Sequence, residues 1–193
     1  MKIGFGKSVI TPPVGFSLVG YFFNDRRSTG IRDELYAISC VIEDKGILFA
    51  ITTVDLLWLG ENQIKKVRNL VNKEIGIPTS NILIHATHTH TGPIPDSSGR
   101  EIFRKGFYVE PSYLEILPFY IAGSIKMAYN RMTDASISAG ADRIEGIAFN
   151  RRYLLKDGTV ITNPWLRIEE IVEVAGPVDD TPVSYTHLTL PTS

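Results

Sequence analysis

Cysteine is almost missing from these 193 residues: Cys40 stands alone, so no internal disulfide can form and a secreted disulfide scaffold is excluded. An excess of charge of one sign is missing as well. Lys and Arg number 20 against 21 for Asp and Glu, a net −1, and no basic stripe with interleaved aromatics points to nucleic acid. Long hydrophobic runs are absent too. The longest, Ile47 to Leu59, is broken by Thr52, Thr53 and Asp55, well short of the ~20 apolar residues of a membrane helix. The opening Met1-Lys-Ile-Gly-Phe-Gly-Lys7 lacks the apolar stretch of a signal peptide, so a cytoplasmic location is the default expectation. There is no Gly-X-Ser-X-Gly elbow, which argues against a serine hydrolase, and no His-Glu-X-X-His helix.

What remains is the composition of an ordinary globular domain, 44% apolar and 21% charged. The length suits one domain, or one lobe of a larger one. Met1–Ile10 reads as a strand stopped by Thr11-Pro12-Pro13, and Val14–Asp33 as a glycine-punctuated loop carrying a solvated Asp25-Arg26-Arg27 cluster. Leu35–Ile42 and Ile47–Val54 read as hairpin strands joined at Glu43-Asp44-Lys45-Gly46, apolar enough to predict burial on both faces. Ile64, Val67, Leu70, Val71 and Ile75 recur at helical spacing over Glu61–Ile75, and Gly76 and Pro78 end that helix. Asn81–Thr87 is then a buried strand, completing a parallel strand–helix–strand unit. A second helix is predicted over Ser112–Met132, with Pro118 as a kink or a late first-turn residue. Ala135–Ala141 and Ile144–Leu154 read as strands, and Lys156-Asp157-Gly158 as a turn. The fold class expected is α/β, a mixed sheet with flanking helices, forming the incomplete N-terminal part of a larger catalytic domain.

The last residues differ in kind. Val183 to Ser193 carries no charge, and Val183–Thr192 back-translates in one frame to GTC TCT TAT ACA CAT CTG ACG CTG CCG ACG, a run resembling a sequencing-library transposase adapter. Residues 183–193, His187 included, are therefore set aside as an adapter-derived tail. Residues 1–182 are read as a partial domain, with the natural chain expected to continue past Pro182.

Chemistry concentrates in Asn81-Ile-Leu-Ile-His-Ala-Thr-His-Thr-His-Thr-Gly-Pro93, which holds three of the four histidines. In an extended strand His88 and His90 share a face while His85 points the other way. Such a pair can supply two ligands to one cation, or one ligand and one acid/base partner. Thr91-Gly92-Pro93 turns the chain sharply, opening room at a strand end where α/β proteins place ligands. His85 reads as a core or interface histidine. Asp55, ending the neighbouring strand, reads either as a partner orienting a ligand or as a cap before Gly60-Glu61. Phe103, Phe107, Tyr108, Tyr113 and Tyr120 form an aromatic set that packing explains better than a lipid surface.

Several segments, in this order, resemble the N-terminal domain of the neutral/alkaline non-lysosomal ceramidase family, in the form of its short bacterial members. They are Val9-Ile-Thr-Pro-Pro13, Gly20-Tyr21, Gly30-Ile-Arg-Asp-Glu-Leu-Tyr-Ala37, Val54-Asp-Leu-Leu57, Ala86-Thr-His-Thr-His-Thr-Gly-Pro93, Asn150-Arg151 and Ala175-Gly-Pro-Val-Asp179. The resemblance implies a zinc-dependent hydrolase of an amide bond. It makes His88 a zinc ligand and places His90 beside the bound water and substrate. Arg151 and Gly20 become substrate-binding residues. The further ligands it implies, a second His, a Glu and a Tyr, would lie beyond Pro182.

One departure bears on the substrate. Ceramidases follow the motif with Ser-Gly-Pro-Gly-Gly, where this chain has Thr91-Gly-Pro-Ile-Pro95 and then the polar Asp96-Ser-Ser-Gly-Arg100. The expected partner is therefore a small-molecule or lipid-like amide, with ceramide itself in question. The competing function is a non-catalytic binding module for a sugar or lipid headgroup. Oligomeric state is not legible.

Overall fold

The computed structural model describes residues 1–21, 26–95, 110–138, 143 and 146–179. Asp25, the Asp96–Arg100 segment, Phe103, Phe107, Tyr108 and the 183–193 tail with His187 lie outside the described residues. The chain forms two compact units, Met1–Ser136 and Ile137–Ser193, each described by itself.

The first unit runs β1 (Lys2–Val9), β2 (Ser17–Leu18), β3 (Arg26–Arg27), β4 (Tyr36–Asp44), β5 (Ile47–Val54), α1 (Glu61–Ile75), β6 (Ile82–Ala86), α2 (Pro111–Asn130) and β7 (Thr133–Asp134). Its main sheet has the order β6-β5-β4-β1-β7. Only the β5–β6 pair is parallel, as a strand joined to its neighbour through a helix requires. The β4–β5 hairpin closes over Lys45-Gly46, with Asp44 opposite Ile47 and both turn residues at positive φ (50° and 81°). That is the two-residue turn whose twist matches its strands. Helix α1 ends at Gly76, whose φ of 75° lets its N–H reach the Asn72 carbonyl at 3.0 Å.

The hairpin strands are not buried on both faces. Ala37, Ser39, Val41, Ala50, Thr52 and Val54 point to the helices and are buried, while Ile38, Ile47 and Phe49, which alternate with them, are exposed. Val67 and Val71 of α1 and Leu117, Ile121 and Ile125 of α2 join Val41, Val54, Ile82 and Ile84 in one core on that single face. Apolar residues on the second face gave the sequence its misleadingly continuous look. Helix α2 comes so close to β1 that a side chain at Gly4 or Gly6 would collide with the carbonyls of Ala128 or Ser124.

Polar groups inside this core are arranged in series. Ser124 donates to the Ile121 carbonyl at 2.7 Å, so its single proton is used. Ser39 must then donate to Ser124 (2.7 Å) and Thr52 to Ser39 (2.9 Å). Pro118 stands in the interior of α2 and not in its first turn. Lacking an N–H, it leaves the Leu114 carbonyl without its helical donor, and buried Gln63 of α1 takes that place, its Nε2 donating at 2.9 Å.

In the second unit β8 (Arg152–Leu155), β9 (Val160–Thr162) and β10 (Ile171–Val174) form an antiparallel sheet in the order β10-β8-β9. Of the strand expected over 135–141, the described residues 135–138 are not strand, and Thr133–Asp134 just ahead of them pair with β1. Of that expected over 144–154, residues 146–151 are not strand and 152–154 fall in β8, while 139–141 and 144–145 lie outside the described residues. Arg167 clips this unit, donating to Asp157 Oδ2 at 2.6 Å and to Glu170 Oε1 at 2.9 Å. The Thr159 hydroxyl and then the guanidinium hold the Asp157 carboxyl below its ordinary range, and the guanidinium does the same for Glu170. Among the described residues no helix is long and apolar enough to cross a membrane.

Candidate functional site

The parallel pair β5–β6 ends at Val54 and Ala86, and the segments leaving these strands stay together. Thr87 N–H donates to the Val54 carbonyl (2.9 Å) and His88 N–H to the Leu56 carbonyl (3.0 Å). The strand therefore stops before the histidine pair, and the alternation argument for a shared face does not apply. His88 instead adopts φ +64°, a left-handed conformation uncommon outside glycine and asparagine. This turn still brings the imidazoles together: the His88 and His90 ring centres lie 5.0 Å apart, nearly perpendicular at 79°. That spacing accommodates either two ligands of one cation or a ligand beside an acid/base group.

His88 Nδ1 lies 2.8 Å from the Leu57 carbonyl. A carbonyl only accepts, so Nδ1 carries the proton and Nε2 of the neutral ring keeps its lone pair. A backbone carbonyl fixing the tautomer in this way is the usual support of a metal-bound histidine. Leu57 is itself held in a small buried cluster with Val19 and Ile94, against which Trp58 packs. Sequence reading had no means of finding this partner, because it is main chain.

Asp55 does something other than expected. Its carboxylate accepts from Tyr36 N–H (2.9 Å) and from Thr87 Oγ1 (3.1 Å), bracing the ends of β4, β5 and β6. Helix α1 starts at Gly60 with no side-chain cap, so the capping reading fails, and Asp55 supports the histidine turn through Thr87, not through an imidazole. His85, on β6 before the turn, is half-buried, with Nδ1 3.4 Å from the Ala86 carbonyl.

Gly20 and His90 meet directly. The β2 strand leads into Val19, whose N–H donates to the Gly92 carbonyl at 3.0 Å, and Leu18 bridges Pro93. Gly20 sits at φ +109°, and a Cβ there would stand 2.5 Å from His90 Cβ and Cγ. Only glycine allows this approach. The next residue, Tyr21, meets the His90 ring edge-on, centres 6.0 Å apart, and the Arg26 guanidinium lies 4.6 Å from the centre of the Tyr21 ring.

Arg151 belongs to the second unit, exposed, immediately before β8, its carbonyl accepting from Asn163 N–H at 3.0 Å. Asn150 beside it donates to the Pro177 carbonyl (3.2 Å) and accepts from Arg152 N–H (2.9 Å). The Asn150-Arg151 and Ala175–Asp179 segments, distant in sequence, are thus joined within that unit. Among the described residues no group of three or more His, Cys, Asp or Glu is placed to hold a metal ion.

Residues 1–154 match the family model described as neutral/alkaline non-lysosomal ceramidase, N-terminal. Two solved structures are similar in fold. One is a ceramidase complexed with C2, with a TM-score of 0.67 and 24% identity, covering 78% of this chain and 24% of that one. The other is neutral ceramidase from Pseudomonas aeruginosa, with a TM-score of 0.68 and 24% identity, covering 78% of this chain and 25% of that one. The chain therefore spans about a quarter of the length of these solved chains. No curated protein matches it.

Proposed function

The chain belongs to the neutral/alkaline non-lysosomal ceramidase family, and on that premise we propose that it forms the N-terminal part of a zinc-dependent hydrolase of an amide bond. The observation carrying this reading is the Leu57 carbonyl, 2.8 Å from His88 Nδ1, which leaves Nε2 as the free donor. His88 fits zinc on that ground and would hold it through Nε2. The described residues offer no complete ligand set, so the remaining ligands come from elsewhere in the polypeptide. Zinc, when bound, lowers the pKa of a water ligand and polarises the amide carbonyl.

The chain's own residues then divide the work. His88 is locked in tautomer and rotation by the Leu57 carbonyl. His90, 5.0 Å away, orients the water and protonates the leaving amine. Gly20 limits where the His90 ring can lie. Arg151, in the second unit, is a substrate-binding candidate on the family resemblance alone.

Zinc alone is the probe. Equilibrium dialysis of the full-length protein, which carries the remaining ligands, with metal content read by atomic absorption, is expected to show one zinc per chain. His88→Ala should weaken that binding by about 10–100-fold or more. Zinc bound equally by wild type and His88→Ala would remove His88 from the metal site. No zinc binding, together with ligand binding unaltered by His88→Ala, would favour the binding-module reading instead.

A further inference from the structure

We propose that Arg26, stacked on Tyr21, recognises an anionic group on the substrate, so that the amide handled here carries a carboxylate or phosphate beside its scissile bond. This deepens the hydrolase reading and rests on it for the site's location. The argument starts from the ribbon of β2 and β3. Leu18 pairs with Arg26 and Ser17 with Arg27, and the same ribbon is anchored to the histidine turn through Val19–Gly92 and Leu18–Pro93. Arg26 is exposed, as a solvated charge cluster predicts, and its backbone belongs to the ribbon that presents Gly20 to His90.

Its surroundings define what it can bind. The guanidinium lies 4.6 Å from the Tyr21 ring centre, and that ring meets His90 edge-on, so a single aromatic ring separates the cation from the proposed catalytic imidazole. A guanidinium over a ring face is held by the ring quadrupole and keeps N–H groups with which to engage a further partner. Arg26 and Tyr21 are both exposed. Among the described residues no carboxylate pairs with Arg26, whereas Arg32 and Arg167 both have acidic partners. Neighbouring Arg27 turns to the chain itself, its Nη1 3.5 Å from the Gly15 carbonyl. A fork with no carboxylate partner among the described residues, beside the proposed hydrolytic site, suits a carboxylate or phosphate, which it can engage through two parallel hydrogen bonds. The uncharged hydroxyls of ceramide give it no comparable partner.

The test compares N-dodecanoylglycine with its neutral counterpart N-dodecanoylglycinol, titrated by calorimetry below their micelle concentrations onto the full-length protein. The acid is expected to bind about tenfold more tightly, and that advantage should shrink as salt is raised. Arg26→Gln should abolish the difference and Arg26→Lys should keep part of it. Tyr21→Phe should retain it while Tyr21→Leu loses it. Equal affinity for acid and alcohol, or an equal loss of both in Arg26→Gln, would overturn the proposal. So would Arg26-dependent binding to phosphatidylglycerol vesicles with no preference for the free acid. The two readings fail separately. An Arg26-dependent preference in a chain that takes up no zinc leaves the anion site standing without the hydrolase, and zinc uptake without the preference does the reverse.

Discussion

Gly15 and Gly20 form a matched pair that isolates the contact with His90. Both have φ values closed to ordinary side chains, +101° and +109°. At Gly15 an added Cβ meets nothing within 4 Å, whereas at Gly20 it falls 2.5 Å from His90 Cβ and Cγ. Gly15→Ala should therefore cost only the backbone strain of an unfavourable φ, about 1–3 kcal/mol. Gly20→Ala carries the same strain and must also move two carbons apart by about 1 Å to reach ordinary van der Waals separation. Overpacking of that kind adds about 1–3 kcal/mol. Urea denaturation of both variants measures the difference, and histidine ring resonances report whether His90 has moved. The expectation is a larger loss in Gly20→Ala, with His90 shifted and His85 unchanged. In an active preparation an ångström of displacement at His90 should lower turnover by roughly 100-fold. Equal destabilisation in the two variants with an unmoved His90 resonance would refute the contact.

Two further outcomes follow from the core. Gln63→Leu should cost about 1–3 kcal/mol in urea denaturation, because it bares the carbonyl that Pro118 cannot serve. The value should fall at the low end, since Gln63 Oε1 is itself buried with no partner among the described residues and leucine removes that penalty. Tyr113 donates to the Ile10 carbonyl at 2.7 Å, and burial pushes its phenol above the ordinary value of 10.0. The folded state holds that proton more tightly than the unfolded one. Its contribution is thus complete below pH 10 and is lost as pH rises toward the folded value. An alkaline denaturation series should show that loss in wild type and a flatter profile in Tyr113→Phe, whose stability is about 1–3 kcal/mol lower at neutral pH.

The elements most visible in the sequence were those whose signals are local. Helix α1 runs from Glu61 to Ile75 as its periodicity and Gly76 require, and the β4–β5 hairpin closes where Lys45-Gly46 can take positive φ. The failures share a cause. Apolar content in β4 and β5 does not say which face a helix covers, so Ile38 and Phe49 read like Val41 and Val54 although they are exposed. Pro118 looked like a helix disturbance because its compensation comes from α1, where Gln63 serves a Leu114 carbonyl 51 residues further along the chain. The β2–β3 ribbon is too short to register as strand, being fixed by its pairing and by the histidine turn and not by propensity.

At the candidate site, residue types were legible and geometry was not. The histidines of the Thr-His-Thr-His segment were identified as a pair by strand alternation, yet the strand ends at Ala86 and a left-handed residue performs the pairing. A β-strand would hold alternate rings side by side at a spacing set by its pleat, whereas the turn lets main-chain carbonyls of the neighbouring segment reach an imidazole. That is why the Leu57 carbonyl can hold Nδ1 of His88 while Asp55 braces Thr87 one residue earlier. The strain at His88 is offset by its own N–H bond to the Leu56 carbonyl and by that of the preceding Thr87 to Val54. A residue held in that conformation, with its ring nitrogen bonded to a main-chain carbonyl, has its ring direction set by the fold and not by solvent.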